Sequence, residues 1–324
     1  MSKDVLNIRP SSFNDIIGRE KEKKGLSILI DSARSRNEPL DHILFYGPPG
    51  LGKTTLSNVV ASEMGVNIQI TSGPALTRAA DIASIVTSLS RGDILFIDEI
   101  HRLNRVIEEK LYSVMEDYAL DIVVGTGPSA KILRLDLEPF TIIGATTRIG
   151  LISAPLRERF GSIFRLDFYS QADMEEIIKR SALVLDLKLT KEAISDIAAR
   201  SRGTARIANR MLKRVRDYAH VYKVDLIDDK VVNSAFEVQS IDKMGLSDLD
   251  LKVLEIVVKN FKGGPVGVET IADAVFEEVD TIVDVCEPFL IQSGFLKKTP
   301  RGRVATKFAF DYLDIPYNEE LSFI

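Results

Sequence analysis

The chain has one cysteine, Cys286, among 324 residues, so no disulfide can form within it, and a reducing, cytoplasmic compartment is expected. It has no excess of positive charge. Its 42 Lys and Arg stand against 47 Asp and Glu, a formal net charge of -5, so any surface for nucleic acid must be local. No apolar run is long enough to span a bilayer, and Met1-Ser2-Lys3-Asp4 opens no apolar signal region, so no membrane association is expected. Internal repeats and low-complexity tracts are absent. The remaining composition, 45% hydrophobic and 27% charged, is that of a globular protein long enough for two or three domains.

The chain is organised around Gly47-Pro48-Pro49-Gly50-Leu51-Gly52-Lys53-Thr54-Thr55, which fits the phosphate-loop pattern G-x-x-x-x-G-K-[ST]. Ile43 to Tyr46 before it read as a buried strand, and Leu56, Val59, Val60 and Met64 after it fall at helical spacing. Gly50 and Gly52 leave room for backbone N–H groups to turn toward phosphate oxygens, and the helix start adds its positive end. Lys53 can reach the β- and γ-phosphates of a nucleotide, and the Thr54 hydroxyl can ligate Mg²⁺.

Strand- and helix-like segments alternate around this loop. A helix carries Leu26, Leu29, Ile30 and Ala33, a strand is expected over Val66 to Thr71, and another helix carries Ile82, Ile85, Val86 and Leu89. In Asp93-Ile94-Leu95-Phe96-Ile97-Asp98-Glu99 an apolar run of the kind that suits a parallel strand buried on both faces meets two carboxylates. Ligands of open α/β sheets gather at such strand ends. Asp98 is therefore placed to hold Mg²⁺ and Glu99 to polarise an attacking water. His101 just beyond is read as a loop or cap residue without chemistry.

Asp121 to Val124 and Lys131 to Leu137 flank a Gly/Pro turn and predict a β-hairpin, an insertion suited to display or to binding a partner. Phe140 to Ala145 is a further buried strand, followed by Thr146-Thr147-Arg148, where a hydroxyl can orient water or feel the γ-phosphate. Arg157 and Arg159 follow in a short helix and, taken alone, read as solvated.

From Ser170 the pattern is helical only. Thr204 is an expected N-cap, which puts Arg206 in a first helical turn that disfavours a cation unless an anion lies opposite. Beyond Ile241, three helical stripes and a ribbon with a basic turn, Gly294 to Thr306, suggest a winged helix. Lys297, Lys298, Arg301, Arg303 and Lys307 occur there without an intervening acid, a local reversal of the global sign.

With these parts assembled, the chain resembles the RuvB family, bacterial Holliday-junction branch-migration ATPases of the AAA+ superfamily. The likeness rests on Gly47–Thr55, Leu95–Asn104, Gly144–Arg148, Ser201–Arg206, Gly263–Gly267 and Thr299–Thr306, nearly the whole length. It implies an α/β fold: a parallel-sheet AAA+ ATPase domain (1–169) with the hairpin (about 121–137) inserted, a small all-helical lid (170–240) and a winged-helix DNA-binding head (241–324). It implies ATP bound through Gly47, Gly50, Leu51, Gly52, Lys53, Thr54 and Thr55, with Ile8, Arg9 and Tyr169 as further pocket positions. Asp98 is then the metal acid, Glu99 the catalytic glutamate, Thr147 sensor 1 and Arg206 sensor 2. Arg159 becomes an arginine finger acting on the neighbouring subunit, hence a homohexameric ring. The hairpin would dock on the junction-binding partner RuvA, and Lys298, Arg301 and Arg303 would contact duplex DNA at four-way junctions.

Two positions depart from the family's usual residues. Ala205 stands in place of proline, which has the φ favoured at a first helical position, and Lys298 in place of arginine, without its forked geometry. A related AAA+ clamp loader or protein remodeller, and a non-catalytic nucleotide-gated DNA switch, are the competing functions. The basic ribbon argues for DNA, the acidic global charge leaves remodelling open, and intact Lys53, Asp98, Glu99 and Arg159 argue against the switch.

Overall fold

The computed structural model describes residues 8–124 and 131–317. By their contacts the residues fall into two compact units that divide between Tyr169 and Ser170.

The first unit holds a five-stranded parallel sheet in the order β2-β3-β6-β1-β7. Its strands are β1 (Ile43–Tyr46), β2 (Ile68–Ser72), β3 (Ile94–Asp98), β6 (Thr141–Thr146) and β7 (Ser162–Arg165). Alternate residues of each strand face opposite sides. Leu44, Leu95, Ile97 and Ile142 enter one apolar cluster, and Ile43, Phe45, Ile94, Phe96 and Ile143 enter another. This two-sided burial is why β1, β3 and β6 are continuous apolar runs. In register, Tyr46 lies beside Thr146 and Ile97 beside Gly144, so β3, β6 and β1 end side by side.

Strand β7 was not foreseen. Ser162-Ile163-Phe164-Arg165 alternates half-buried and exposed residues, as an edge strand does, and it pairs with β1 while Phe164 packs on Phe45 at 5.8 Å between ring centres. The strand expected from Val66 starts at Ile68.

The hairpin is formed by β4 (Ala119–Val124) and β5 (Lys131–Asp136), directly after the helix Arg105–Glu116. It begins two residues earlier than expected, and its turn lies outside the described residues. Asp117 and Arg134 pair at 3.1 Å at its base.

The second unit is helical, with one correction to the all-helical expectation: Lys188–Leu189 (β8) and Leu226–Ile227 (β9) form a two-residue parallel pair. Three helices follow, over 248–260, 268–275 and 279–292. They pack with the antiparallel ribbon of β10 (Leu296–Thr299) and β11 (Gly302–Ala305) around a core that includes Leu254, Ile271, Leu290 and Phe295. This is the expected winged helix. Arg202 joins it to the preceding helices. Its Nε donates to the Gly245 carbonyl at 2.8 Å, its Nη2 lies 2.5 Å from Asp250 Oδ2, and the guanidinium covers the Phe289 ring at 4.7 Å.

Candidate active site and nucleic-acid interface

The sheet order decides which loops meet. The segment after β1 is the phosphate loop, and the ends of β6 and β3 carry Thr146-Thr147 and Asp98-Glu99. Three adjacent strands thus deliver a phosphate cradle, hydroxyls and carboxylates to one edge of the sheet.

The cradle opens into the helix Lys53–Met64 through Gly52, at φ 92°, a left-handed conformation that a side chain would strain. The Lys53 ammonium is buried and donates to the carbonyls of Gly47 and Pro48 at 2.7 and 2.9 Å, so it sits over the loop rather than in solvent. The Thr54 hydroxyl, half-buried at the helix start, has no hydrogen-bond partner among the described residues. Leu51 is fully buried and anchors the loop, while Gly50 turns it at φ 81°.

Asp98 accepts the Glu99 N–H at 3.0 Å. Glu99 is itself left-handed, at φ 50° and ψ 43°, which costs a non-glycine residue about 1 kcal/mol and turns the chain sharply at the strand end. Two residues on, the imidazole of His101 is folded back: Nδ1 lies 3.3 Å from Glu99 Oε2 and 2.9 Å from Thr146 Oγ1. The reading of His101 as a residue without chemistry missed this contact, which depends on the left-handed turn. Thr147 is half-buried, and its hydroxyl has no hydrogen bond among the described residues.

Arg19 is the other residue that sequence reasoning passed over. Its guanidinium lies 4.2 Å over the Tyr169 ring, and it bonds the Tyr169 hydroxyl at 3.1 Å, the Asp167 carbonyl at 2.8 Å and the Leu51 carbonyl at 3.3 Å. It therefore ties Tyr169 to the phosphate loop, and the Tyr169 hydroxyl is 3.8 Å from where a Gly52 Cβ would be. Ile8 is buried and Arg9 is exposed.

Arg159 ends the helix Ala154–Glu158. It is not solvated freely: Nη1 donates to the Pro155 carbonyl at 2.7 Å, Nη2 to Glu116 at 3.0 Å, and the guanidinium lies 4.5 Å over the Tyr112 ring. Its Nε is buried without a partner among the described residues.

In the second unit Arg206 is exposed at the second position of the helix Ala205–Val221 and has no partner among the described residues. Thr204 is the N-cap by position but not by chemistry. Its hydroxyl donates back to the Ser201 carbonyl at 3.3 Å and accepts nothing from the helix.

On the wing, Lys297, Lys298, Arg301 and Lys307 are exposed. Arg303, unlike these, is mostly buried. It is only 11% exposed at the side chain, and its Nε lies 2.5 Å from Glu287 Oε1, itself 5% exposed. Its terminal nitrogens have no hydrogen bond among the described residues. The third helix, over 279–292, carries no Lys or Arg, so the positive charge of this domain's ribbon end is the wing's own.

Residues 8–166 match the family model described as the Holliday junction DNA helicase RuvB P-loop domain, residues 169–242 the RuvB AAA lid domain, and residues 243–314 the RuvB C-terminal winged helix domain. The Holliday junction branch migration complex subunit RuvB of Dehalococcoides mccartyi (strain CBDB1) is 55% identical over 314 residues, 97% of this chain and 90% of its own. The solved structure of the Thermotoga maritima RuvB Holliday junction branch migration motor is similar with a TM-score of 0.89 at 48% identity, covering 96% of this chain and all of the other. A lysine-to-arginine mutant of that protein is similar with a TM-score of 0.89 at 48% identity, covering 96% and 99%.

Proposed function

This chain belongs to the RuvB family, and from that we infer that it is an ATP-driven motor that moves duplex DNA through Holliday junctions in recombination and repair. The observation that carries the reading is the convergence at one sheet edge of the phosphate loop with Lys53, the Asp98-Glu99 pair and Thr146-Thr147. No helix among the described residues is long and apolar enough to cross a membrane.

Nucleotide binding follows from the P-loop domain, and the donors fit ATP with Mg²⁺. Backbone N–H groups of Gly50 to Thr55 and the helix start receive phosphate oxygens, and Lys53 leaves two carbonyls for the β- and γ-phosphates. No three His, Cys, Asp or Glu side chains converge on a metal point among the described residues. One carboxylate, Asp98, and one hydroxyl, Thr54, are the set Mg²⁺ accepts when phosphates and water complete its shell. The ion would neutralise charge on the transferring phosphoryl group.

Glu99 then accepts a hydrogen bond from the attacking water, and Thr147 reads the γ-phosphate from the neighbouring strand. Arg159 supplies its charge to the next subunit's ATP, which requires a neighbouring subunit and fits a homohexameric ring, and Arg206 is the sensor 2 arginine. Ile8, Arg9 and Tyr169 border the base and ribose, with Arg19 fixing Tyr169. The chain works as an ATPase domain at 1–169, a lid at 170–240 and a DNA-binding head at 241–324.

The wing grips the DNA backbone through Lys298 and Arg301, with Arg303 offering its terminal nitrogens from a guanidinium fixed by Glu287. The hairpin presents Ile132 and Leu133, 73% and 51% exposed, to a RuvA-like junction-binding protein. The test is ATP-dependent migration of a synthetic four-way junction, with and without that partner. Branch migration that needs ATP and rises with the partner is expected, and ATP hydrolysis without junction movement would reject the motor.

A further inference from the structure

Glu99 has one side open and one side held. Its side chain is 35% exposed, while the imidazole on its other side is 5% exposed. His101 Nδ1 reaches two oxygens at once, Glu99 Oε2 at 3.3 Å and Thr146 Oγ1 at 2.9 Å. Thr146 is fully buried and leads further inward. Its hydroxyl accepts the Arg148 N–H at 2.9 Å, and its carbonyl accepts the N–H of Gly47, the first residue of the phosphate loop, at 3.2 Å. The backbone that aims His101 is fixed as well. The Glu99 carbonyl accepts from Arg102 at 2.9 Å and packs so closely on Gly73 that a Cβ there would lie 2.4 Å from it.

A carboxylate only accepts hydrogen bonds, whereas a threonine hydroxyl donates or accepts. With its proton on Nδ1 the ring can donate to Glu99 and share that proton with Thr146. With Nδ1 bare, a lone pair would face the carboxylate. The carboxylate therefore favours a proton on Nδ1.

We propose that His101 is the positioning residue for Glu99: its Nδ1–H tethers one carboxylate oxygen to the Thr146 end of β6 and leaves the other oxygen to accept from the attacking water. This rests on Glu99 being the water-activating carboxylate. The histidine acts through the carboxylate. It removes rotational freedom from that group, and it links that group to the strand bearing Thr147. Loss of such alignment acts on turnover and spares substrate binding, since displacement of a reacting group by about 1 Å costs on the order of 100-fold.

The test uses the full chain, steady-state ATP hydrolysis and binding of a fluorescent ATP analogue. His101→Phe keeps the ring's bulk and loses the donor; His101→Asn keeps a donor near the Nδ1 position. The expected result is a kcat lowered about 10- to 100-fold for His101→Phe with KM and analogue affinity within about twofold of the parent, and substantial recovery in His101→Asn. On a Glu99→Gln background, where the carboxylate to be aligned is gone, His101→Phe should cost less than about twofold more. Parental kcat in His101→Phe, equal losses in the Phe and Asn variants, full additivity with Glu99→Gln, or a loss that appears in analogue affinity would each overturn the proposal. Parental turnover by Glu99→Gln alone would instead remove the assignment of Glu99 on which it stands.

Discussion

Arg159 and Glu116 meet at 3.0 Å on the surface of a single chain, and the carboxylate is 58% exposed. A pair so open contributes about 1 kcal/mol or less, whereas an arginine finger on a transferring phosphoryl group contributes 10³- to 10⁵-fold in rate. If Arg159 is the proposed finger, the neighbour's ATP should therefore win the guanidinium. Glu116→Gln should alter hydrolysis by less than about threefold, while Arg159→Ala should lower it by about 10³-fold or more. Rings that mix Arg159→Ala with Glu99→Gln subunits should regain activity, because one interface in such a ring holds an intact site. Mixed rings shown to form but still inactive would refute a shared site.

Glu99→Gln should bind ATP as the parent does and hydrolyse it about 10²- to 10⁴-fold more slowly, the usual contribution of a positioned general base. Lys53→Ala should instead weaken binding itself, since it removes the cation seated over the loop. Equilibrium binding and single-turnover hydrolysis, measured on the same preparations, separate the two.

The wing cations should separate into two kinds. Arg301→Ala or Lys298→Ala should flatten the log–log salt dependence of duplex binding by about 0.9 each, equally on unrelated sequences, with unchanged thermal stability. Arg303→Ala should also lower the melting temperature, because it leaves the buried Glu287 carboxylate unpaired, a loss of about 3–5 kcal/mol when such a pair is broken. Restoration of the melting temperature by adding Glu287→Gln to Arg303→Ala is the expected control.

His42 gives stability a pH dependence. It is buried, its Nδ1 accepts the Ile142 N–H at 2.9 Å, and its Nε2 meets the Met115 carbonyl at 3.1 Å. Burial pushes its pKa below the ordinary 6.5. The unfolded chain thus takes up a proton that the folded chain refuses. Its contribution is full above about pH 6.5 and is lost as pH falls below that value, with a slope of at most about 1.4 kcal/mol per pH unit. Denaturant midpoints of the parent between pH 5 and 7.5 should fall more steeply toward acid than those of His42→Gln. Parallel curves would show that the imidazole has no part in the slope.

What the sequence made legible was local. The phosphate loop announces itself because strand, glycine turn and helix are contiguous, and β3 because burial on both faces leaves no polar residue before Asp98. The winged helix could be read from three apolar stripes and a basic ribbon. What stayed hidden depends on contacts between distant residues or on backbone signs no pattern encodes. The pairing of Arg159 with Glu116 spans 43 positions and that of Arg303 with Glu287 spans 16. His101 gained its place only through the left-handed turn at Glu99, a conformation that glutamate seldom takes. Strand β7 was missed because four residues on a sheet edge carry too little alternation to stand out.

Between a lid and a DNA-binding head the default is a pliant linker. Here Arg202 fills that place, fastened to Gly245 and to the fully buried Asp250, with Phe289 beneath its charge. A lever that bends wastes its stroke, and this joint has been stiffened against bending. A lid fastened to the winged helix in this way is suited to pass a rotation of residues 170–240 on to the wing.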